Sequence, residues 1–322
     1  MTVTASSSGP VALIEVDALG VRYGDRSALD NLSFQVQAGE LVGLLGPNGA
    51  GKTTTLSVLA TLLRPDTGHA RIGGYDTVRE AARVRAVLGL VPQTLGIYPT
   101  LTARENLLFF ARLFRLRDAR GVAARSLRLV GLEERADDVV ATFSGGMQRR
   151  LNLACGLLHE PRVVLLDEPT VGVDPQSRER IFDAVRGQAA RGAAILYSTH
   201  QMEEAERLCD RVVLIDGGRV VAAGTPAELI EYAGAALRLE LRTHARLPEG
   251  WLDTLRGARV LKPPASLAED GELTHVSLDD VALAVRVLDC AAAQGAGVVD
   301  FHLHQPSLQD VFLKFTGHAL RD

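Results

Sequence analysis

The sequence predicts an α/β protein in two parts: a mixed-sheet core with helices, then a small α+β domain. Three observations carry this. Apolar runs at 41–45, 163–167 and 193–200 are short and bounded by polar or turn residues, as buried strands of a parallel sheet are. Stretches of helical character stand between them. Near residue 233 the texture changes to short strands arranged about one good helix.

In chain order, residues 1–10 form a Ser-rich tail with neither a basic start nor an apolar core, so no signal peptide is expected. Residues 11–24 alternate and read as a strand, and 32–37 as another. The strand at 41–45 leads through a glycine loop into a helix over 52–63. Residues 101–131 are Leu- and Arg-rich at helical spacing. Residues 212–229 read as strand, Gly-Gly turn, strand and helix. Beyond 233, 237–242 is a strand and 250–257 a short helix. Residues 258–262 and 273–278 are strands around a polar loop (263–272), 281–295 a helix and 298–304 a last strand. That β-α-β-β-α-β order predicts a ferredoxin-like split sandwich.

Composition narrows the function. Lys and Arg number 35 against 39 Asp and Glu, a formal charge of −4, so nothing favours general nucleic-acid binding. Cys155, Cys209 and Cys290 have neither metal-ligand nor redox spacing and read as buried free thiols. No uncharged apolar stretch approaches the roughly 18 residues of a spanning helix. The chain is expected to reach a membrane only through a partner.

The glycine loop is Gly46-Pro47-Asn48-Gly49-Ala50-Gly51-Lys52-Thr53-Thr54. Glycines let backbone amides turn inward as an anion nest, and the following helix adds the positive end of its dipole. Lys52 then reaches the β- and γ-phosphates of a nucleotide, and Thr53 ligates Mg²⁺. An acidic metal partner is needed, and VVLLDEP supplies Asp167 at a strand end, with Glu168 next to it to polarise water.

Between these stretches stands Phe143-Ser144-Gly145-Gly146-Met147-Gln148. It resembles the L-S-G-G-Q signature of ATP-binding cassette (ABC) ATPases. Gln93 in LGLVPQ resembles that family's Q-loop glutamine, Asp174 in VGVDP its D-loop, and His200 in YSTH its switch histidine. Tyr23 stands where the family often stacks an aromatic ring on adenine; core packing is the alternative for this residue. The ordered matches cover residues 11–225 and imply a P-loop NTPase ABC cassette: mixed sheet core, N-terminal antiparallel β part and helical subdomain at about 94–158. The domains expected are thus 11–232 and 233–322. Two positions depart from the pattern, Phe143 for Leu and Met147 for Gln. Met147 removes a polar side chain beside the signature, which implies altered interface tuning rather than lost binding.

The resemblance implies ATP and Mg²⁺ as ligands. The phosphate loop binds phosphate and magnesium, Asp167 orders the metal, Glu168 activates water, and His200 holds the γ-phosphate. Gln93 senses the metal and reports to the helical part. Ser144, Gly145 and Gly146 complete a site on another copy and Asp174 is a further nucleotide-binding candidate, so one cassette per chain implies a homodimer or a pair with a related chain. MQRRLNLACGLLHEP, THQMEEAERLCDRVVLIDGGRVVAAGTPAEL and PSLQDVFLKFTG further resemble ATPase subunits of ABC-2 exporters of the daunorubicin-resistance type. Such subunits sit at the cytoplasmic face of the membrane on a separate permease. The arginines at 104, 112, 115, 117, 120, 125 and 128 are either a solvated face or a surface near that permease. A soluble mechanical ABC ATPase is the alternative. It typically carries a coiled-coil insertion or two cassettes per chain, and neither is present. A subunit without turnover is disfavoured by Glu168 and His200, and a GTPase by the lack of a base-reading Asn/Thr-Lys-x-Asp.

Overall fold

The structure is a computed structural model that describes residues 12–234, 237–261 and 272–316. The tail at 1–10, all of the polar loop at 263–272 except Glu272, and Gly317 lie outside the described residues. The chain divides into two compact units. One holds the described residues up to Pro226 with Phe315 and Thr316, and the other is Ala227–Lys314.

In the first unit, β1 (Ala12–Tyr23) and β2 (Arg26–Gln37) form a hairpin that turns at Gly24-Asp25. β3 (Leu41–Leu45) leads to α1 (Lys52–Leu59), and β4 (Thr67–Ile72) and β5 (Tyr75–Asp76) follow. α1 ends before the residue 63 expected. Thr61 takes a left-handed φ of 63°, and the amides of Leu62 and Leu63 both return to the Ser57 carbonyl, which closes the helix. Then come α2 (Ala81–Val87), β6 (Leu88–Val91), α3 (Ala103–Leu113), α4 (Ala119–Leu129) and α5 (Gly145–Leu157). β7 (Val163–Asp167), α6 (Pro175–Ala190), β8 (Ala194–Thr199), α7 (Met202–Leu208), β9 (Arg211–Asp216) and β10 (Arg219–Gly224) complete it.

Two sheets result. β2-β1-β4-β5 is antiparallel, and the six-stranded sheet has the order β10-β9-β3-β8-β7-β6. Its five strands from β9 to β6 run parallel, with β10 antiparallel at the edge. β3, β7 and β8 are buried along their whole length, which is why each reads as an unbroken apolar run. One core cluster joins both sheets, from Ile14 and Leu32 to Leu44, Leu165 and Val213.

α3, α4 and α5 pack together as a helical layer. α3 starts at a full capping box, Thr102 with Glu105. Of the arginines here, Arg104 pairs with Asp137 at 2.7 Å and Arg125 with Asp118 at 3.5 Å; both are exposed ion pairs.

The second unit takes most of α8 (Pro226–Ala233), then β11 (Leu237–Thr243), β12 (Ala258–Leu261), β13 (Glu272–Leu278), α9 (Leu283–Ala293), β14 (Val298–His304) and most of α10 (Leu308–Thr316). Its sheet has the order β12-β13-β11-β14, all antiparallel. The helix expected at 250–257 is a run of turns. Gly250 and Gly257 bracket it at φ of 76° and 86°, too close for a helix, while Leu252 and Leu255 still join the core. α10 was not expected. Its signal was present: the Asp310 carboxylate caps it by accepting from the Ser307 N–H and hydroxyl, and Leu308, Val311 and Phe312 are buried at helical spacing.

Candidate functional site

The parallel sheet brings the site together. β3, β8, β7 and β6 are adjacent, and at their carboxyl ends stand the glycine loop, His200, Asp167-Glu168 and Gln93. In parallel sheets ligands bind at this edge, where loops leave the strands. A cavity of about 450 Å³ opens there. It is lined by Tyr23, Asn48, Gly49, Gly51, Lys52, Thr53, Thr54, Gln93 and Glu168 from the expected set.

The loop geometry follows from its glycines. Gly51 has φ of 108°, and a Cβ there would stand 2.8 Å from the Ala28 carbonyl oxygen, so no other residue fits. Lys52 is 5% exposed. Its Nζ donates to the carbonyls of Gly46 (2.8 Å) and Pro47 (3.1 Å) and lies 3.5 Å from Glu168 Oε1. Burial holds its pKa below the usual lysine value, with Glu168 and Asp167 opposing that shift.

Glu168 is the centre of the site. Its carboxylate takes Gln93 Nε2 at 3.3 Å on one oxygen; the other lies 3.1 Å from His200 Nδ1. Its backbone has φ of 46°, in the left-handed region, and its N–H donates to the Ser198 carbonyl at 3.1 Å. Such a conformation in a non-glycine residue costs about 1–3 kcal/mol and persists only where the surroundings hold it. Asp167 is 6% exposed and accepts from Ser198 Oγ at 2.6 Å. His200 thus faces a carboxylate. Tyr23 is 55% exposed at the cavity, which removes the core-packing alternative.

Ser144, Gly145, Gly146 and Asp174 do not line this cavity. Ser144 caps α5 and accepts from the Met147 N–H at 3.3 Å. Gly146 is pressed against the start of α6: a Cβ would lie 2.6 Å from both Asp174 Oδ2 and Ser177 Oγ. Asp174 caps α6 through the Ser177 N–H at 2.9 Å, and that bond holds its carboxyl below the usual range. Ser144, Gly145 and Asp174 are exposed, and Gly146 is buried. Phe143 is buried at 6%, so its departure from Leu is a change of packing.

Four residues escaped the sequence reading. Arg26 lines the cavity and is the hairpin partner of Tyr23; a cation three residues beyond an aromatic, across a turn, was the available signal. Arg149 Nη1 donates to the Gln93 carbonyl and so ties α5 to the glutamine loop. Ser198 bridges Asp167 and Glu168, and only the pairing of β7 with β8 reveals that. Glu204 on α7 is 2% exposed. It accepts from Thr170 (2.8 Å), Tyr197 (2.9 Å) and Thr199 (3.3 Å), with Arg178 at 3.3 Å.

A phosphate loop after one strand of a parallel sheet, with an acidic pair at the end of β7 two strands away, defines a P-loop nucleoside triphosphatase. A sequence profile described as "ABC transporter" matches residues 29–171. The chain is 41% identical over 316 residues to Nod factor export ATP-binding protein I of Paraburkholderia xenovorans (strain LB400), covering 97% of this chain and 100% of that one. It is 41% identical over 316 residues to daunorubicin resistance ATP-binding protein DrrA3 of Streptomyces coeruleorubidus, covering 96% and 97%. A dimeric ATP-binding cassette solved in a post-hydrolysis state with ADP and Pi superposes with a TM-score of 0.60 at 25% identity, covering 66% of this chain and 98% of that one. The chain belongs to the ABC transporter family, as an ATP-binding subunit of the group that includes these export and resistance ATPases, and it is an ATPase.

Proposed function

We propose that this chain is the ATP-hydrolysing subunit of an ABC exporter, closing as a dimer around two Mg-ATP and driving a separate transmembrane permease. The observation that carries the reading is Glu168, a buried carboxylate held among Lys52, Gln93 and His200 at the mouth of the phosphate-loop cavity. Lys52 and the loop amides bind the β- and γ-phosphates, and Tyr23 stacks on the base. Glu168 takes a proton from the attacking water, and His200 fixes the geometry of that carboxylate and of the γ-phosphate.

The donors suit Mg²⁺, a hard cation that takes oxygen ligands and leaves positions for phosphate and water. The Thr53 hydroxyl lines the cavity, the Gln93 amide reaches it, and Asp167 keeps one carboxylate oxygen beyond its bond to Ser198. Those three would hold the ion, which would neutralise charge developing on the transferred phosphoryl group.

Ser144, Gly145 and Asp174 are exposed outside the cavity, with Gly146 buried beside Asp174, so these residues act on the nucleotide of a second copy. Closure brings the N-terminus of α5 to the γ-phosphate, and hydrolysis removes the contact. The permease docks at a mostly apolar groove of about 340 Å³ lined by Leu62, Leu88, Pro92, Phe110, Phe114 and His159. Leu62 is 71% exposed there, and no helix among the described residues is long and apolar enough to cross a membrane. Relatives named for daunorubicin resistance and Nod factor export support an export role, in which this chain works at the cytoplasmic face of the membrane through its permease.

The test is Glu168→Gln in the full chain with Mg-ATP. Phosphate release should fall by on the order of a hundredfold or more while ATP binding persists and the protein sediments as a dimer. Turnover at the parental rate, or a monomer with ATP bound, removes the proposal.

A further inference from the structure

The C-terminal sheet has two edges of different build. β12 has four residues, and short edge strands resist pairing with other chains. β14 has seven, without Lys or Pro, and among the described residues no strand pairs with its outer edge. It leaves Val299 and Phe301 each 50% exposed. On α9, Val285 is 62% exposed and precedes by one turn Leu288, which like Val298 packs against the cluster of Leu241 and Ala291. An edge with no strand partner among the described residues is a template for strand addition, in which the Phe301 N–H exchanges its bond to Asp300 Oδ1 (2.8 Å) for one to the incoming chain.

The composition of the edge selects its occupant. Phe301 and Leu303 stand opposite Leu241 and Leu239, on the sheet face that α9 covers. Asp300 and His302 stand opposite Arg242 and Glu240, on the other face. Laid antiparallel to itself about Phe301, the strand VVDFHLH is self-complementary. Phe301 meets Phe301 of the partner subunit, Val299 meets Leu303 of the partner subunit, and Asp300 meets His302 of the partner subunit. A two-fold axis normal to the sheet keeps apolar residues with apolar on one face and acid with base on the other.

We propose that β14 is a self-pairing edge, through which two copies join their C-terminal sheets into one continuous antiparallel sheet without nucleotide. The contact is independent of ATP-driven closure, so Glu168→Gln is read for nucleotide-dependent dimers in a chain that also carries His302→Glu, where the β14 contact is weakened. Within one chain Asp300 and His302 already lie 3.2 Å apart, so the test must separate that contact from one between copies.

Sedimentation of the full chain without nucleotide, over a range of concentrations, should show a reversible dimer. His302→Glu should weaken it by about tenfold, because it sets two carboxylates across the axis twice, and Asp300→Lys should weaken it because it removes the acid that each His302 faces. An equimolar mixture of the two variants should recover parental association, since each copy then faces the opposite charge; the contact within a chain gains nothing from mixing. Phe301→Cys should form a disulfide-linked dimer on mild oxidation. A parental monomer throughout, variants that associate like the parent, a mixture no tighter than either variant alone, or a Phe301→Cys chain that does not cross-link overturns the proposal.

Discussion

At the scale of single residues, one carboxylate organises the chemistry and another holds its frame. Glu168 keeps a left-handed backbone because its N–H is anchored to the Ser198 carbonyl on the neighbouring strand. Glu204 receives the hydroxyls of Thr170, two residues past Glu168, and Thr199, one before His200. Both loops therefore hang from one buried charge, and the Glu168–His200 distance is set by a residue that touches neither. Glu204→Gln keeps the shape but removes the charge that these hydroxyls and Arg178 face. It should lower kcat on the order of tenfold while the KM for ATP stays near parental, as misplacement of reacting groups does; steady-state kinetics on the folded variant check this. Lys52→Ala acts differently, since it removes the cation from the phosphate site: binding of a fluorescent ATP analogue should drop by about a hundredfold or more.

At the scale of elements, the packing of helix on helix and of helix on sheet carries the function. α5 meets α6 through Gly146, where no side chain fits beside Asp174 and Ser177. Gly146→Val should tilt the start of α5 and displace Ser144. Turnover in the assembled complex should fall while ATP binding, which the phosphate loop performs, is retained; paired binding and phosphate-release assays would show it. Just past the other end of α5, His159 stacks on Phe114 at 4.0 Å, and its Nε2–H donates to the Leu88 carbonyl at 3.0 Å. Burial lowers its pKa, so the unfolded chain takes up the proton first. The stability it contributes is present above about pH 6.5 and is lost as the pH falls through the folded value. Urea unfolding at pH 8 and pH 5.5 should show this loss, and His159→Gln should reduce it.

At the scale of the whole molecule, the expected arrangement of an α/β core and a small α+β unit is what the structure shows, and the reasons are particular. β3, β7 and β8 were legible because a strand covered on both faces must be apolar throughout. The glycine loop was legible because Gly51 needs a positive φ and Lys52 a fixed place behind it. The helix expected at 250–257 failed because its apolar spacing serves a turn pinned by two glycines, and α10 was overlooked although its cap was written in Ser307 and Asp310. Burial also fixes thiol chemistry: Cys155 and Cys209 are enclosed, which pushes both thiols far above the usual range, and Cys290 is half-buried. Titration with a thiol reagent should therefore find at most one reactive group in the native chain and three after denaturation.

The sequence by itself determined the parts of the phosphate site, because each needs a fixed residue type at a fixed spacing from its neighbours: glycines to turn, a lysine to reach phosphate, an acidic pair after a strand. What only the tertiary structure decided is which distant residues share a hydrogen bond. Ser198 beside Asp167, Arg149 on the Gln93 carbonyl, Glu204 between Thr170 and Thr199, and the place of β14 at the edge of its sheet all arise from strand order and helix packing. Strand order depends on how the chain minimises exposed apolar surface as a whole, and no local window of residues carries that sum.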